Sequence, residues 1–303
     1  MATTRSIILD TDIGSDVDDA MALALILGRD DLDLVGITTV YGDTALRAGL
    51  AKRYLSLADV DVPVYAGERE TLSGRAVWWA GHEGSLHEGL EDEQFESGSG
   101  VEYLTRTVAE RPGEIDVVAI GPLTNIATAI QADPAFAQNV RSLCIMGGRF
   151  DGSGPEHNFS SDAVAASIVF SANVPTVVTG LEITTQVRIG EDQVAQIAAA
   201  GPLGAALARD IDQFWSFADK RWNVPHDPVA VLALVEPALF GLSEPGKVGI
   251  GVDSDGGAGS RLTSDTGGTT RVVVSLEASA VSSSIIAAIV EAGQDDVAAE
   301  GQT

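Results

Sequence analysis

A single cysteine, Cys144, rules out an intrachain disulfide and leaves dithiol or zinc-thiolate chemistry without the residues it needs. Lysine is almost as scarce, with Lys52, Lys220 and Lys247 the only three in 303 residues. Basic residues number 18 against 44 acidic, which gives a formal charge of −26. A field of that sign repels phosphate and so argues against nucleic acid and anionic membrane surfaces as partners. Long apolar runs are missing as well, none approaching the roughly 20 residues that a membrane helix requires. The opening MATTRSIILD meets aspartates before the long apolar core of a signal peptide can form. These absences describe a soluble, cytoplasmic chain. Acid enrichment with so little lysine is the composition expected of a salt-adapted surface, where ionic strength screens self-repulsion.

What is present is a 45% hydrophobic chain, long enough to bury a sizeable core. Short apolar runs at Ser6–Leu9, Leu34–Val40, Val62–Tyr65, Asp116–Ile120, Ser142–Met146 and Thr176–Gly180 read as strands covered on both faces. Helical patterns at Asp18–Gly28, Thr44–Leu57, Gly100–Glu110, Leu123–Ala132 and Asp162–Ser171 alternate with them. Such βαβα alternation predicts an α/β chain: a Rossmann-like, mostly parallel central sheet flanked by helices, forming one domain over residues 1–303. Residues 75–100, rich in Gly, Glu and His, have the composition of a mobile functional loop. A further helical region spans Gly190–Trp222, and the tail predicts strands around a turn at Gly256–Ser260 before a last helix.

The segment ILDTDIGSDVDDA places five aspartates, Asp10, Asp12, Asp16, Asp18 and Asp19, within ten positions. Asp10 and Asp12 fall at the carboxyl end of the first strand, the edge where open α/β sheets bind ligands. Asp18 and Asp19 begin a helix, where the exposed N–H groups favour carboxylates. Capping by Asp16 or Asp18 accounts for one of the five, and mutual repulsion raises the cost of every other. A hard divalent cation removes the difficulty, and the spacing does not match an EF-hand loop. Distant segments can complete such a site: Asp227 in His226-Asp227-Pro228, the turn GPLTNIA at Gly121–Ala127, and Glu156 with Asn158 after the Gly-Gly turn. Each has an ordinary alternative, respectively a satisfied histidine, a helix capped by Thr124 or Asn125, and a solvated loop.

Taken in order over nearly the whole chain, DTDxGxD(x)DDAxAL, ITTVxG, GPLTNIA, MGG…ExN and HDPxAV resemble the inosine-uridine type nucleoside hydrolases. The resemblance implies a Ca²⁺ at the base of a cleft, held by Asp12, Asp19, a carbonyl of Thr124 and Asp227. In that family the ion also holds the ribose 2′- and 3′-hydroxyls and the attacking water, with Asp12 as general base. It further implies that Asp18 grips ribose hydroxyls, that Glu156 and Asn158 orient the far side of the sugar, and that His226 protonates the departing base. His82 in the GHEG loop is a second acid or base contact, and Phe217 and Trp222 are the candidates to stack on the base. Asp10 stands behind the ligands and steadies them. Family members assemble as dimers or tetramers, and the substrate is a small nucleoside.

Three departures from the pattern stand out. Asp43 occupies a position commonly Asn, which would put another carboxylate near the ribose. The Asn expected about six residues before Glu156 is absent, with Phe150, Asp151 and Gly152 there instead. The first motif also carries two additional residues, Asp16 and Val17. The rival enzyme is a haloacid-dehalogenase-like phosphatase, suggested by Asp10-Thr11-Asp12 after a strand. It wants Thr or Val where Gly14 stands, and a motif lysine. The non-enzyme alternative is a calcium-dependent ribose- or nucleoside-binding protein. The salt expectation is checked by equilibrium unfolding: stability should rise between low and molar salt, and equal stability at both would remove it.

Overall fold

The computed structural model of the protein describes residues 4–254 and 256–294. Its strands are β1 (Arg5–Thr11), β2 (Leu32–Thr39), β3 (Val64–Ala66), β4 (Ile115–Ala119), β5 (Ser142–Met146), β6 (Thr176–Thr179), β7 (Ile189–Gly190), β8 (Trp222–Asn223), β9 (Phe240–Leu242), β10 (Gly246–Val252), β11 (Ala258–Ser264) and β12 (Thr270–Leu276). All but β7 and β8 join one sheet, ordered β11-β10-β12-β6-β5-β4-β1-β2-β3, with β9 beside β12. From β12 to β3 along that path the neighbours run parallel, while β10 and β11 continue antiparallel.

The parallel strands are mostly apolar because helices cover both faces. All five residues of β4 are buried, and β1 is buried from Ile7 onward. One face packs against helices 18–27, 201–218, 226–235 and 278–293, the other against helices 100–110, 124–132 and 163–171. Helix 18–27 is buried at nine of its ten positions, which explains why its sequence DDAMALALIL has no polar stripe.

Ser142–Met146, Thr44–Leu57 and Gly100–Glu110 lie where the sequence places them, and the other early elements shift by one or two residues. The most useful shift is in β1. Asp10 and Thr11 keep pairing with Thr38 and Thr39, and Asp10 also with Ala119, so Asp10 lies inside the sheet and Asp12 just beyond it. Gly190–Trp222 divides into helices 191–198 and 201–218, because Gly201 takes φ +62° and Pro202 starts the second helix. The tail turn ends at Gly257, since Ala258–Ser260 already pair with β10.

Cys144 is fully buried in β5, its thiol donating to the carbonyl of Ala230 at 3.1 Å, and burial pushes the thiol pKa up to about 12. Gly28 ends helix 18–27 against helix 278–293 so tightly that a Cβ would lie 1.9 Å from the Ala288 carbonyl oxygen. Gly28→Ala should therefore force the two helices apart and cost about 1–3 kcal/mol or more. Denaturant unfolding of the variant beside the parent measures it.

Candidate active site

The site is built on the carboxyl edge of the sheet, beginning at the end of β1. The Asp10 side chain is fully buried, and its Oδ1 accepts from Thr38 Oγ1 at 2.5 Å and Asn125 Nδ2 at 2.6 Å. Its Oδ2 has no partner, and burial raises the carboxyl pKa to about 7. Beyond it the chain folds back at Gly14, whose φ of +119° favours glycine. Thr11 fastens that reversal: its Oγ1 donates to Asp19 Oδ1 at 2.5 Å and accepts from the Ile13 N–H at 3.1 Å.

Asp18 and Asp19 open helix 18–27, and Asp227 is the second residue of helix 226–235. The two helix starts converge, and ligand oxygens of Asp18, Asp19 and Asp227 lie within 4.8 Å of one another. All three carboxyls are buried, and their pKa values are raised by that burial first and next by the charge of a neighbouring aspartate, Asp16 for Asp18, Asp12 for Asp19 and Asp18 for Asp227. Asp12, buried beside them, is raised by burial and drawn back by the charges of Arg47 and His157. Hard oxygen donors held together with so little neutralising charge suit a hard divalent cation. An orphaned buried oxygen on Asp10 directly behind them fits the same picture. The helix starts add their own positive ends to the neighbourhood.

These groups floor a cleft of about 340 Å3 open to solvent, within the 300–1,000 Å3 usual for small-molecule sites. Glu156 and Asn158 form one wall. Glu156 accepts from the N–H groups of Gly148, Asn158 and Phe159 at 2.7–3.0 Å, and Asn158 Nδ2 donates to the Ile120 carbonyl at 2.7 Å. His226 also lines the cleft, its Nδ1 engaged by Thr184 Oγ1 at 2.6 Å. Burial and the Lys220 charge push its pKa down to about 4. Trp78 and Phe217, 48% and 51% exposed, stand at the mouth.

Asp12, Asp18, Asp19, Glu156, Asn158, Phe217, His226 and Asp227 are thus brought together as the sequence motifs suggested. Four expected residues are not. Asp43 caps helix 44–57, accepting from the Leu46 N–H at 3.3 Å, and turns toward Arg69 at 3.9 Å rather than toward the cleft. Thr124 donates to Asp162 Oδ2 at 2.8 Å, while its carbonyl accepts from the Thr128 hydroxyl one helical turn on. Its carbonyl points along its own helix, and the one that borders the cleft belongs to Ile120. Trp222 lies in the β7–β8 ribbon with Arg188 and Lys220 over its ring, at 4.2 and 4.9 Å. His82 sits under the rim, its Nε2 tied to the Ser15 carbonyl at 3.0 Å and its ring edge against Phe217.

Capping also differs from expectation. Val17 is the N-cap of helix 18–27 without a side-chain bond, Leu123 that of helix 124–132, and Asp16 Oδ1 accepts from the Val17 N–H instead. The phosphatase reading fails on Asp10, which would be the nucleophile but lies behind the floor of the cleft among Thr38 and Asn125. The 75–100 segment is irregular yet pinned down. Its Glu83 accepts from Ser15 Oγ, Ala80 N–H and Gly81 N–H, His87 meets Asp210 at 2.8 Å, and Arg53 reaches Glu93. Asp162, buried, holds the preceding residues through the Leu72 and Ser73 N–H groups. Arg47, Asp162 and Trp78 were not singled out from the sequence, and Asn125 was expected only as a helix cap, whereas its Nδ2 holds Asp10. Of the first three only Trp78 carried a signal, as an aromatic in a glycine-rich segment.

The profile of the inosine-uridine preferring nucleoside hydrolase family matches residues 7–283. A probable uridine nucleosidase of Arabidopsis thaliana is 33% identical over 260 residues, covering 79% of this chain and 80% of its own. A pyrimidine-specific ribonucleoside hydrolase of Escherichia coli is 34% identical over 223 residues, covering 69% and 70%. Among solved structures, a plant nucleoside hydrolase superposes with a TM-score of 0.86 at 27% identity, over 94% of this chain and 99% of the other.

The raised carboxyl of Asp10 has a consequence for stability. Its folded pKa near 7 exceeds the unfolded value near 3.8, so between those values the native state holds the extra proton. The contribution is fully present below pH 4 and is lost as pH rises toward 7. Urea midpoints measured in chelator between pH 4 and 7 should fall, and Asp10→Asn should make that fall shallower.

Proposed function

Because the chain belongs to the inosine-uridine preferring nucleoside hydrolase family, we propose that it hydrolyses the N-glycosidic bond of inosine and uridine with calcium as cofactor and Asp12 as general base. The observation that carries this is the convergence of Asp18, Asp19 and Asp227, with Asp12 beside them, under a cleft rimmed by aromatic side chains. Such a floor binds a diol and a cation together, and such a rim takes a flat base. Uridine and pyrimidine nucleosides head the substrates because relatives named for them share a third of their residues with this chain.

Asp12, Asp19 and Asp227, with Asp18 beside them, would hold the cation, and Ile120 lines the cleft as the candidate carbonyl in place of Thr124. When bound, calcium supplies positive charge that fixes the sugar diol and makes nearby water more acidic. Asp12 then takes a proton from water as its oxygen bonds to C1′ and the bond from C1′ to the base nitrogen breaks. The cationic, oxocarbenium-like sugar is stabilised by the carboxylates around it. Glu156, fixed by three backbone N–H groups, and Asn158 orient the sugar from the other wall. His226 presents Nε2 to the departing base, since Nδ1 is taken by Thr184. Phe217 and Trp78 bracket the base, with Trp78 in the place expected of Trp222. Assembly as a dimer or tetramer is part of the same proposal.

The test is release of reducing sugar from a nucleoside panel with calcium present. Inosine and uridine should be split, chelation should abolish turnover, and Asp12→Asn should lower kcat by ~10²–10⁴ for loss of a general base. No turnover on any nucleoside at low or molar salt overturns the reading. Calcium-dependent binding of inosine without release of base would mark a binding protein instead.

A further inference from the structure

Arg47 is the one arginine among the largest fully buried side chains, and it lies directly behind the aspartate turn. It projects from the first turn of helix 44–57. Its Nε donates to the Tyr41 carbonyl at 2.8 Å, one Nη to the carbonyls of Asp12 and Ile13, and the other Nη to Ser15 Oγ at 3.1 Å. The Trp79 ring covers the guanidinium, with its centroid 4.9 Å away. Every one of these acceptors is a neutral oxygen. An arginine this close to acidic side chains ordinarily forks onto a carboxylate. Such a pair would occupy the oxygens of Asp12 that the cleft needs free.

The fork instead grips the Asp12–Ser15 turn through the carbonyls of Asp12 and Ile13 and the Ser15 hydroxyl, and leaves the Asp12 side chain lining the cleft. It also fixes Tyr41, a non-glycine residue at φ +70°, a conformation that persists only where its surroundings over-determine it. Ser15 carries the connection onward, since its hydroxyl donates to Glu83 at 2.9 Å and its carbonyl meets His82. Trp79 and Glu83 belong to the segment that bears Trp78 at the mouth of the cleft. The metal turn, the strained Tyr41 and the aromatic rim therefore share a single cross-link.

We propose that Arg47 is a positioning residue that sets calcium affinity by holding the Asp12–Ser15 backbone, and that it fastens the 75–89 segment to that turn. This rests on the calcium reading of the site. Removing outer partners that orient metal ligands commonly costs 10–100-fold in metal affinity. Lysine keeps the charge but lacks the planar fork, so it is no substitute at such a position.

Calorimetric calcium titration of the full chain tests the proposal, comparing wild type with Arg47→Lys and Arg47→Met. Both variants should bind calcium about 10–100-fold more weakly, with unchanged circular dichroism, and saturating calcium should restore much of the lost turnover. That rescue separates positioning from a damaged fold. If neither variant folds, Trp79→Leu, at a position 37% exposed, removes the cover instead. It should weaken calcium several-fold and speed protease cutting within residues 75–89. Wild-type calcium affinity in folded Arg47→Lys, or in Trp79→Leu where the former does not fold, overturns the role of Arg47. A wild type that binds no calcium overturns the cofactor reading itself.

Discussion

Like charges cannot be buried side by side without something to hold them, and the carboxyl edge of this sheet is arranged around that constraint. Asp12, Asp18, Asp19 and Asp227 are each nearly sealed from water, and burial first, then the charges of neighbouring aspartates, raise the pKa values of Asp18, Asp19 and Asp227. Neutral donors manage the crowding locally: Thr11 holds Asp19, while Thr38 and Asn125 hold Asp10. The nearest buried cation reaches the turn through backbone oxygens. The result is a floor whose carboxylates stay available, which is what a cation and a diol together require. Helix packing, turn geometry and the course of the 75–100 segment all follow from keeping that floor in place.

The cleft's chemistry is asymmetric about this floor. On one wall Glu156 accepts from three backbone N–H groups, which fix its carboxylate in place. His226 is neutral at ordinary pH and fixed through Thr184. Asp12 shares the cleft with them, its buried carboxyl raised by burial and drawn back chiefly by the Arg47 charge. A division of labour among similar side chains thus arises from what each one's oxygens are already bonded to.

Much of this was legible in the sequence because it is local. Apolar runs with no polar stripe announced strands and helices buried on both sides, and five aspartates in ten positions announced a buried carboxylate cluster able to hold a metal. What was not legible depends on distance along the chain. Whether Asp43 faces the sugar or caps a helix is decided by a β2–helix turn that also brings Arg69 near. Whether the carbonyl of Thr124 or of Ile120 borders the cleft is decided by where helix 124–132 starts. Arg47 looks like any helix-surface arginine until Asp12 and Tyr41 are brought beside it. Trp222 beside the HDP motif was misleading, because adjacency along the chain says nothing about which side of a two-stranded ribbon a ring takes.

Cys144 sits in the middle of β5 with its thiol against the Ala230 carbonyl and its ionisation suppressed by burial. A thiol in that state is inert toward alkylating reagents, and it is the chain's only one. Strand β5 lies at the centre of the sheet beneath helix 226–235, the element that carries Asp227. Labelling at this one atom therefore registers separation of that helix from the sheet, making the chain its own single-site clock for the opening of the core under the active site.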